Sequence, residues 1–221
     1  MEKRWKSFYE KSEKYDYYNL FVPHPYLTIV SEFFERNNVE KILDIGCGLG
    51  SNLLFLARKG FNMTGIDISA EAIKKLQKRI ELDKLNIPLF VGDFRELPFN
   101  NESFEGIICI QTLQHGYTKD VQKGIEEISR VLKPQGFLFL TVPGRVAHGK
   151  VRYSLIKTAC KVEERVYIPT KGNEIGIPHF IFNMKTIRQF LRNYQILFKW
   201  RDENDYYCVL AKKYEKRRNN L

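Results

Sequence analysis

The stretch 41–50, "KILDIGCGLG", decides the fold. An apolar run with β-branched character passes through Asp44, and glycines then fall on positions 46, 48 and 50. Glycine has no β-carbon, so such a run permits the positive backbone torsions of a sharp turn and lets a ligand touch the peptide planes. A G-x-G alone is a weak signal, because ordinary tight turns use glycine too. The surrounding chain has to carry the reading.

Working outward, apolar strands alternate with amphipathic helices. "SNLLFLARKG" (51–60) reads as a helix closed by Gly60. "FNMTGIDI" (61–68) reads as a strand. The next helix has Ser69 as N-cap, Glu71 in its first turn, and Ile73, Leu76 and Ile80 on one face. "IPLFVGD" (87–93) and "FEGIICIQ" (104–111) are the third and fourth strands. A helix over 118–133, capped by Thr118, buries Val121, Ile125, Ile128 and Leu132, and "GFLFLTVP" (136–143) is the fifth strand.

Alternation on this scale implies parallel pairing through right-handed crossovers. Nearly continuous apolar strands imply helices on both faces of the sheet. Residues 40–143 therefore read as a doubly wound α/β sheet. The end differs. After a capped helix over 183–194, "QILFKWRD" and "DYYCVLAKKY" are separated by so short a polar turn that they must form an antiparallel hairpin.

In an open α/β sheet the ligand lies beyond the carboxyl ends of the strands. Asp67 ends the second strand, 21 positions after Gly46, where a carboxylate can accept bonds from vicinal ribose hydroxyls. Asp93 ends the third, where it could hold an adenine amino group, with Phe94 beside it to pack on the ring. A dinucleotide fingerprint would place a third glycine where Ser51 stands. Asp44 would also be unwelcome beside a pyrophosphate, which argues against a nicotinamide-dependent oxidoreductase. It suits a ligand with an ammonium group, and S-adenosylmethionine has an adenosine, a sulfonium and an ammonium end.

"DIGCGLG", "GIDIS", "GDFRELPF", "FEGIICIQTLQH" and "EEISRVLKPQGFLFLTVP", in that order, resemble the motif series of Rossmann-fold (class I) S-adenosylmethionine-dependent methyltransferases. The nearest branch includes small-molecule and tRNA-modifying enzymes. The resemblance implies a seven-stranded, mostly parallel sheet of order 3-2-1-4-5-7-6 with an antiparallel last strand. It places Asp44, Gly46, Cys47 and Gly48 in the loop under the methionine moiety. Asp67 takes the ribose, Ile68 the adenine face, and Asp93 with Phe94 the adenine edge. Ile110 and Gln111 fall near the sulfonium. Two departures stand out. Glu105 replaces the usual aspartate, and "CIQTLQH" lacks the Asn/Asp-Pro-Pro-aromatic signature, which disfavours exocyclic base amines and glutamine amides as acceptors.

The methyl donor is already activated, so the protein mainly aligns donor and acceptor and removes water. His115, just past the fourth strand, and His179 are the candidate catalytic bases; for His115 a structural or cofactor-contact role is preferred. The segment 144–182 reads as an insertion forming the acceptor pocket, and its Arg145, Lys150 and Arg152 would favour an anionic or polar acceptor. Residues 1–38, with Trp5, Phe8, Tyr9, Tyr15, Tyr17 and Tyr18, read as a helical lid.

The 221 residues suit one domain. The 36 Lys and Arg against 26 Asp and Glu, and the tail "KKYEKRRNN", leave an RNA acceptor as the alternative to a small molecule. A non-catalytic cofactor-binding subunit is a further alternative. The four cysteines are scattered, so neither a disulfide framework nor a metal site is expected. No apolar run approaches the roughly 20 residues of a membrane span. A cytoplasmic monomer or homodimer without membrane contact is the expectation.

Overall fold

The computed structural model describes residues 1–11, 20–144 and 158–215. Helix α1 (Glu2–Glu10) and helix α2 (Leu27–Arg36) precede the sheet. Then β1 (Lys41–Ile45), α3 (Ser51–Arg58), β2 (Asn62–Asp67), α4 (Ala70–Leu82), β3 (Leu89–Val91), β4 (Phe104–Ile110), α5 (Thr118–Val131) and β5 (Leu132–Pro143) form the alternating core. Three short strands follow, β6 (Ala159–Lys161), β7 (Val166–Pro169) and β8 (His179–Phe180), in an antiparallel sheet of their own. Helix α6 (Met184–Phe190), β9 (Tyr194–Arg201) and β10 (Tyr206–Lys213) close the chain.

The main sheet has seven strands in the order β3-β2-β1-β4-β5-β10-β9. Counted within that sheet this is 3-2-1-4-5-7-6, the expected order. Strand β10 runs antiparallel to both β5 and β9. It follows that β9 runs parallel to the core strands.

Side chains alternate across each strand, so neighbours enter opposite cores. Ile42, Ile108, Phe139 and Leu210 pack under α2, α3 and α4. Leu43, Ile107, Leu138, Leu140 and Val209 pack under α5 and α6. Two covered faces explain the unbroken apolar strands. The core of α5 is the stripe Val121, Ile125 and Ile128.

Local signals mostly land within a residue or two. The Ser69 hydroxyl caps α4, accepting from the Ala72 amide at 3.3 Å. Gly60 ends α3 at φ +97°. Thr118 is the first helical residue of α5 rather than its cap; the Tyr117 amide just before it donates to the Asp120 carboxylate at 2.9 Å. Leu132 is buried as expected, but it already belongs to β5, pairing with Phe104. Strand β3 is shorter than expected because it is the sheet's exposed edge, where Phe90 and Val91 face solvent. Helix α6 stops at Phe190, and Tyr194 already starts β9.

Part of the basic tail is structural. Lys213 is buried, and its ammonium donates to the Ser129 and Leu132 carbonyls at the end of α5, both at 2.6 Å. Cations at a helix carboxyl end are favourable. Glu105 likewise has a structural role. It accepts from the Glu40 and Lys41 amides at 2.8 and 3.1 Å and from Lys133 Nζ at 2.8 Å, and these contacts hold its carboxyl down at about 2 against the opposing effect of burial. No helix among the described residues is long and apolar enough to cross a membrane.

Candidate active site

A cavity of about 270 Å³ opens beyond the carboxyl ends of β1, β2 and β4. Its floor is the glycine turn, where Gly46, Gly48 and Gly50 have φ of 73°, 51° and 81°. The close approach is real at Gly46, where a β-carbon would lie 2.2 Å from the Thr112 hydroxyl oxygen. At Gly48 a β-carbon would lie 2.8 Å from the Tyr9 hydroxyl. The turn is pinned by amide bonds from Gly46 and Cys47 to the Ile66 carbonyl, at 2.8 and 3.1 Å.

Asp67 lines the cavity from the end of β2. Its two oxygens accept from the Gly48 and Ser69 amides at 2.9 and 2.8 Å. Each oxygen keeps a further lone pair, which is what a vicinal diol needs. Burial raises this carboxyl to about 6, against the pull of the two amides. Asp44 is buried in β1, and its Oδ2 has no hydrogen-bond partner. Desolvation, reinforced by the charge of Asp67, lifts it to about 8. A buried acceptor without a partner, two residues before a glycine cradle, fits a ligand that brings an ammonium donor. Asp44 itself lies behind the surface formed by Ile45, Gly46, Cys47 and Gly48.

Phe94, Ile68, Ile110 and Gln111 also line the cavity. Gln111 takes φ +52°, and its amide is held by Thr141 through both the carbonyl and the hydroxyl oxygen. Asp93 departs from expectation. Gly92 and Phe94 reach the cavity, but Asp93 does not. The Arg95 guanidinium, with Nε 2.9 Å from Oδ1 and a terminal nitrogen 2.5 Å from Oδ2, takes both of its oxygens. Arg95 also bridges to Asp120 at 3.0 Å. The third acid of the sequence reading is thus engaged by its own turn.

The opposite wall comes from segments far apart in sequence. From α1, Trp5, Phe8 and Tyr9 face the cavity. Helix α1 is tied down by Lys75 Nζ on the Tyr9 carbonyl at 2.7 Å and by Arg4 on the Ile175 carbonyl at 3.0 Å. His115 lies under the Trp5 ring, with centroids 4.7 Å apart. Burial and the neighbouring His179 push the His115 imidazole down to about 3, so it is neutral at physiological pH. His179 is paired with His115 across an isolated antiparallel bridge, their rings 5.0 Å apart. The fold therefore joins the two candidate bases, but only His115 lines the cavity.

Sequence reasoning did not single out Glu174, His24, Thr112 or the 202–206 turn, all of which line the cavity. The turn was within reach. It follows β9, which runs with the parallel strands, so it must lie at their carboxyl edge. Glu174 carried no sequence signal. Tyr15, Tyr17, Tyr18, Arg145, Lys150 and Arg152, and the tail beyond residue 215, lie outside the described residues.

Comparison with known proteins agrees with this geometry. Residues 42–136 match the family model described as a methyltransferase domain. The ubiquinone biosynthesis O-methyltransferase of Coxiella burnetii is 33% identical over 104 residues, which is 47% of this chain and 44% of that protein. The methyltransferase GfsG of Streptomyces halstedii is 30% identical over 116 residues, 50% of this chain and 41% of that protein. The chain thus spans under half the length of these curated relatives. An S-adenosylmethionine-dependent methyltransferase of Methanosarcina mazei superposes with a TM-score of 0.69 at 26% identity, covering 80% of this chain and 94% of that one. The matched segment and the sheet order together make the core similar to class I S-adenosylmethionine-dependent methyltransferase domains, whose cofactor is S-adenosylmethionine.

Proposed function

We propose that the chain transfers a methyl group from S-adenosylmethionine to a polar small molecule. The observation that carries this reading is one cavity bounded by the glycine turn and Asp67 on one side and by Trp5, Tyr9 and His115 on the other. When bound, S-adenosylmethionine would supply an electrophilic methyl group: an acceptor lone pair would form the new bond to carbon while the carbon–sulfur bond breaks and its electron pair stays on sulfur, leaving a neutral thioether.

In this reading the chain's own residues bind, orient and exclude water. Asp67 takes the ribose hydroxyls, Ile68 and Phe94 flank the adenine, and the Asp44 carboxylate answers the ammonium. Ile110 and Gln111 sit by the sulfonium. Helix α1 acts as the lid, and the insertion, of which 158–182 are described, forms the acceptor wall. Neutral His115 is available to accept a proton at the acceptor side, although its very weak basicity favours a positioning role.

The basic residues that suggested an anionic acceptor are outside the described segments. The lining contributes the carboxylates of Asp67, Glu174, Asp202 and Glu203, and neither Lys nor Arg, among the described residues. That composition supports a polar rather than an anionic acceptor. The name of the Coxiella relative, an O-methyltransferase of ubiquinone biosynthesis, supports an oxygen acceptor. Burial of Lys213 withdraws one charge from the surface an RNA would use.

Calorimetry should show binding of S-adenosylmethionine and none of NAD. Methyl transfer should then appear in a panel of small phenols, acids and amines. Methylation confined to tRNA, with steep salt dependence of binding, would overturn the small-molecule reading.

A further inference from the structure

His115, His179 and Glu174 place two imidazoles and a carboxylate on the acceptor wall, with donor atoms all within 4.8 Å of one another. We propose that these three side chains form a binding site for a divalent transition ion of the zinc type, open on its cavity side.

Two imidazole nitrogens and one carboxylate oxygen are a ligand set that such ions accept, leaving a further position for water or substrate. The separation of the rings fits. With metal–nitrogen bonds of about 2.0–2.1 Å and tetrahedral angles, two coordinated imidazoles have ring centres roughly 5 Å apart. The His115 and His179 rings are 5.0 Å apart, and nearly perpendicular at 86°. Tetrahedral donor atoms lie about 3.3–3.5 Å apart, so side-chain rotations closing the widest gap by at most about 1.5 Å complete the site.

The backbone already holds the ligands in place. The His115–His179 bridge sets the two residues opposite each other, and the Phe180 amide donates to the Gln114 carbonyl at 2.8 Å. Glu174 sits in a turn fixed by the Gly176 amide on the Pro169 carbonyl and the Ile177 amide on the Glu174 carbonyl, at 2.8 and 3.0 Å.

A second observation points to a ligand. His179 is 2% exposed, yet neither ring nitrogen makes a hydrogen bond. Its Nε2 lies 3.1 Å from Glu174 Oε2, close enough for a contact but not in hydrogen-bonding geometry. Buried imidazoles are normally satisfied. A cation seated between ring and carboxylate would give the buried His179 imidazole the partner it lacks. The open position faces the cavity because His115 and Glu174 line it while His179 lies behind them. An oxygen of the acceptor could bind there. That use rests on the methyl-transfer reading, whereas the ion site itself does not.

The chelator-treated full chain, titrated with zinc chloride alone, should bind one equivalent with submicromolar affinity. Glu174→Gln and His179→Gln should each weaken this at least 100-fold, and His179→Gln, whose side chain does not line the cavity, should leave S-adenosylmethionine affinity within threefold. Cys208→Ala should bind zinc like the wild type, since His24, Asp202 and Cys208 form a separate cluster. Cobalt added to the wild-type chain provides a readout that needs no variant. Tetrahedral nitrogen and oxygen ligation gives visible bands without sulfur-to-cobalt charge transfer. A zinc affinity weaker than 100 micromolar, zinc binding that survives Glu174→Gln, or a sulfur-to-cobalt band would each overturn the site. A chain that binds zinc but not S-adenosylmethionine would keep the site and remove the methyl-transfer reading; the reverse result would do the opposite.

Discussion

Gly46, Gly48 and Asp67 reach the cavity from the ends of adjacent parallel strands, whereas Trp5, Glu174 and Asp202 reach it from a terminal helix, an insertion turn and a hairpin turn. The first group is held by bonds between neighbouring strand ends, the Gly46 amide donating to the Ile66 carbonyl and the Gly48 amide to the Asp67 carboxylate. The second is held by side chains that cross long stretches of sequence, such as Arg4 to Ile175. In the proposed reading the donor side is therefore built by the sheet itself. The acceptor side, in the same reading, is assembled from a helix, an insertion turn and a hairpin turn, pieces that could be exchanged without disturbing the parallel core strands. One fold can in this way keep its donor and change its acceptor.

The sharpest break of that comparison is Asp67→Ala. The carboxylate is asked to hold two ribose hydroxyls and also orients the Gly48 amide. Hydrogen bonds to a charged group contribute about 1.5–3 kcal/mol each. Loss of S-adenosylmethionine affinity should therefore reach at least about 100-fold, measured by calorimetry. Retained micromolar affinity would remove Asp67 from the site.

What could be read in advance follows the same division. Strand alternation, the Ser69 cap and the closing hairpin are local signals, and each appears in the structure. The apolar strands could be read because both faces of the sheet are buried. Residues Asp67 and Asp93 look equivalent in sequence, each an acid ending a strand. What separates them is Arg95, two residues beyond Asp93 and close enough to fold back on it. Asp67 is followed two residues later by Ser69, which offers only a backbone amide. The meeting of His115 with His179 and Glu174 had no local signal, because it depends on how β8 docks after a long insertion.

A second test uses pH. The folded Asp44 carboxyl sits at about 8, against about 3.9 in an unfolded chain. Between these values the folded protein holds a proton that the unfolded chain has lost. The stability this represents is fully present below about pH 4 and is lost as pH rises through about 8. The Tm of the ligand-free protein should fall from pH 6 to pH 9, and Asp44→Asn should flatten that slope. Affinity for the cationic donor should move the other way, rising by up to about tenfold per pH unit as Asp44 ionises. A flat affinity over this range would separate Asp44 from the ammonium.

The lid is expected to contribute less. Removing residues 1–11 takes Trp5 and Tyr9 off the cavity but leaves the glycine turn and Asp67 intact. Donor affinity should drop by about 5- to 10-fold, roughly 1–1.4 kcal/mol, with a larger loss of turnover because water enters. Unchanged affinity and turnover would make α1 packing only.

The smallest effect is expected at Asp93, and it distinguishes the two acids most directly. Its carboxyl lies below the usual carboxylate range because the Arg95 side chain and amide outweigh the effect of burial. Asp93→Asn should loosen Arg95 and with it the bridge from the turn after β3 to Asp120 on α5. Because Arg95 is partly exposed, screening keeps the stability cost to about 1 kcal/mol or less. Donor affinity should change by under about threefold, since Phe94 rather than Asp93 lines the cavity. A loss as large as that of Asp67→Ala would mean that Asp93 leaves Arg95 for the adenine when the donor binds. The donor side would then need a side-chain rearrangement of its own, and its separation from the adaptable acceptor side would no longer hold.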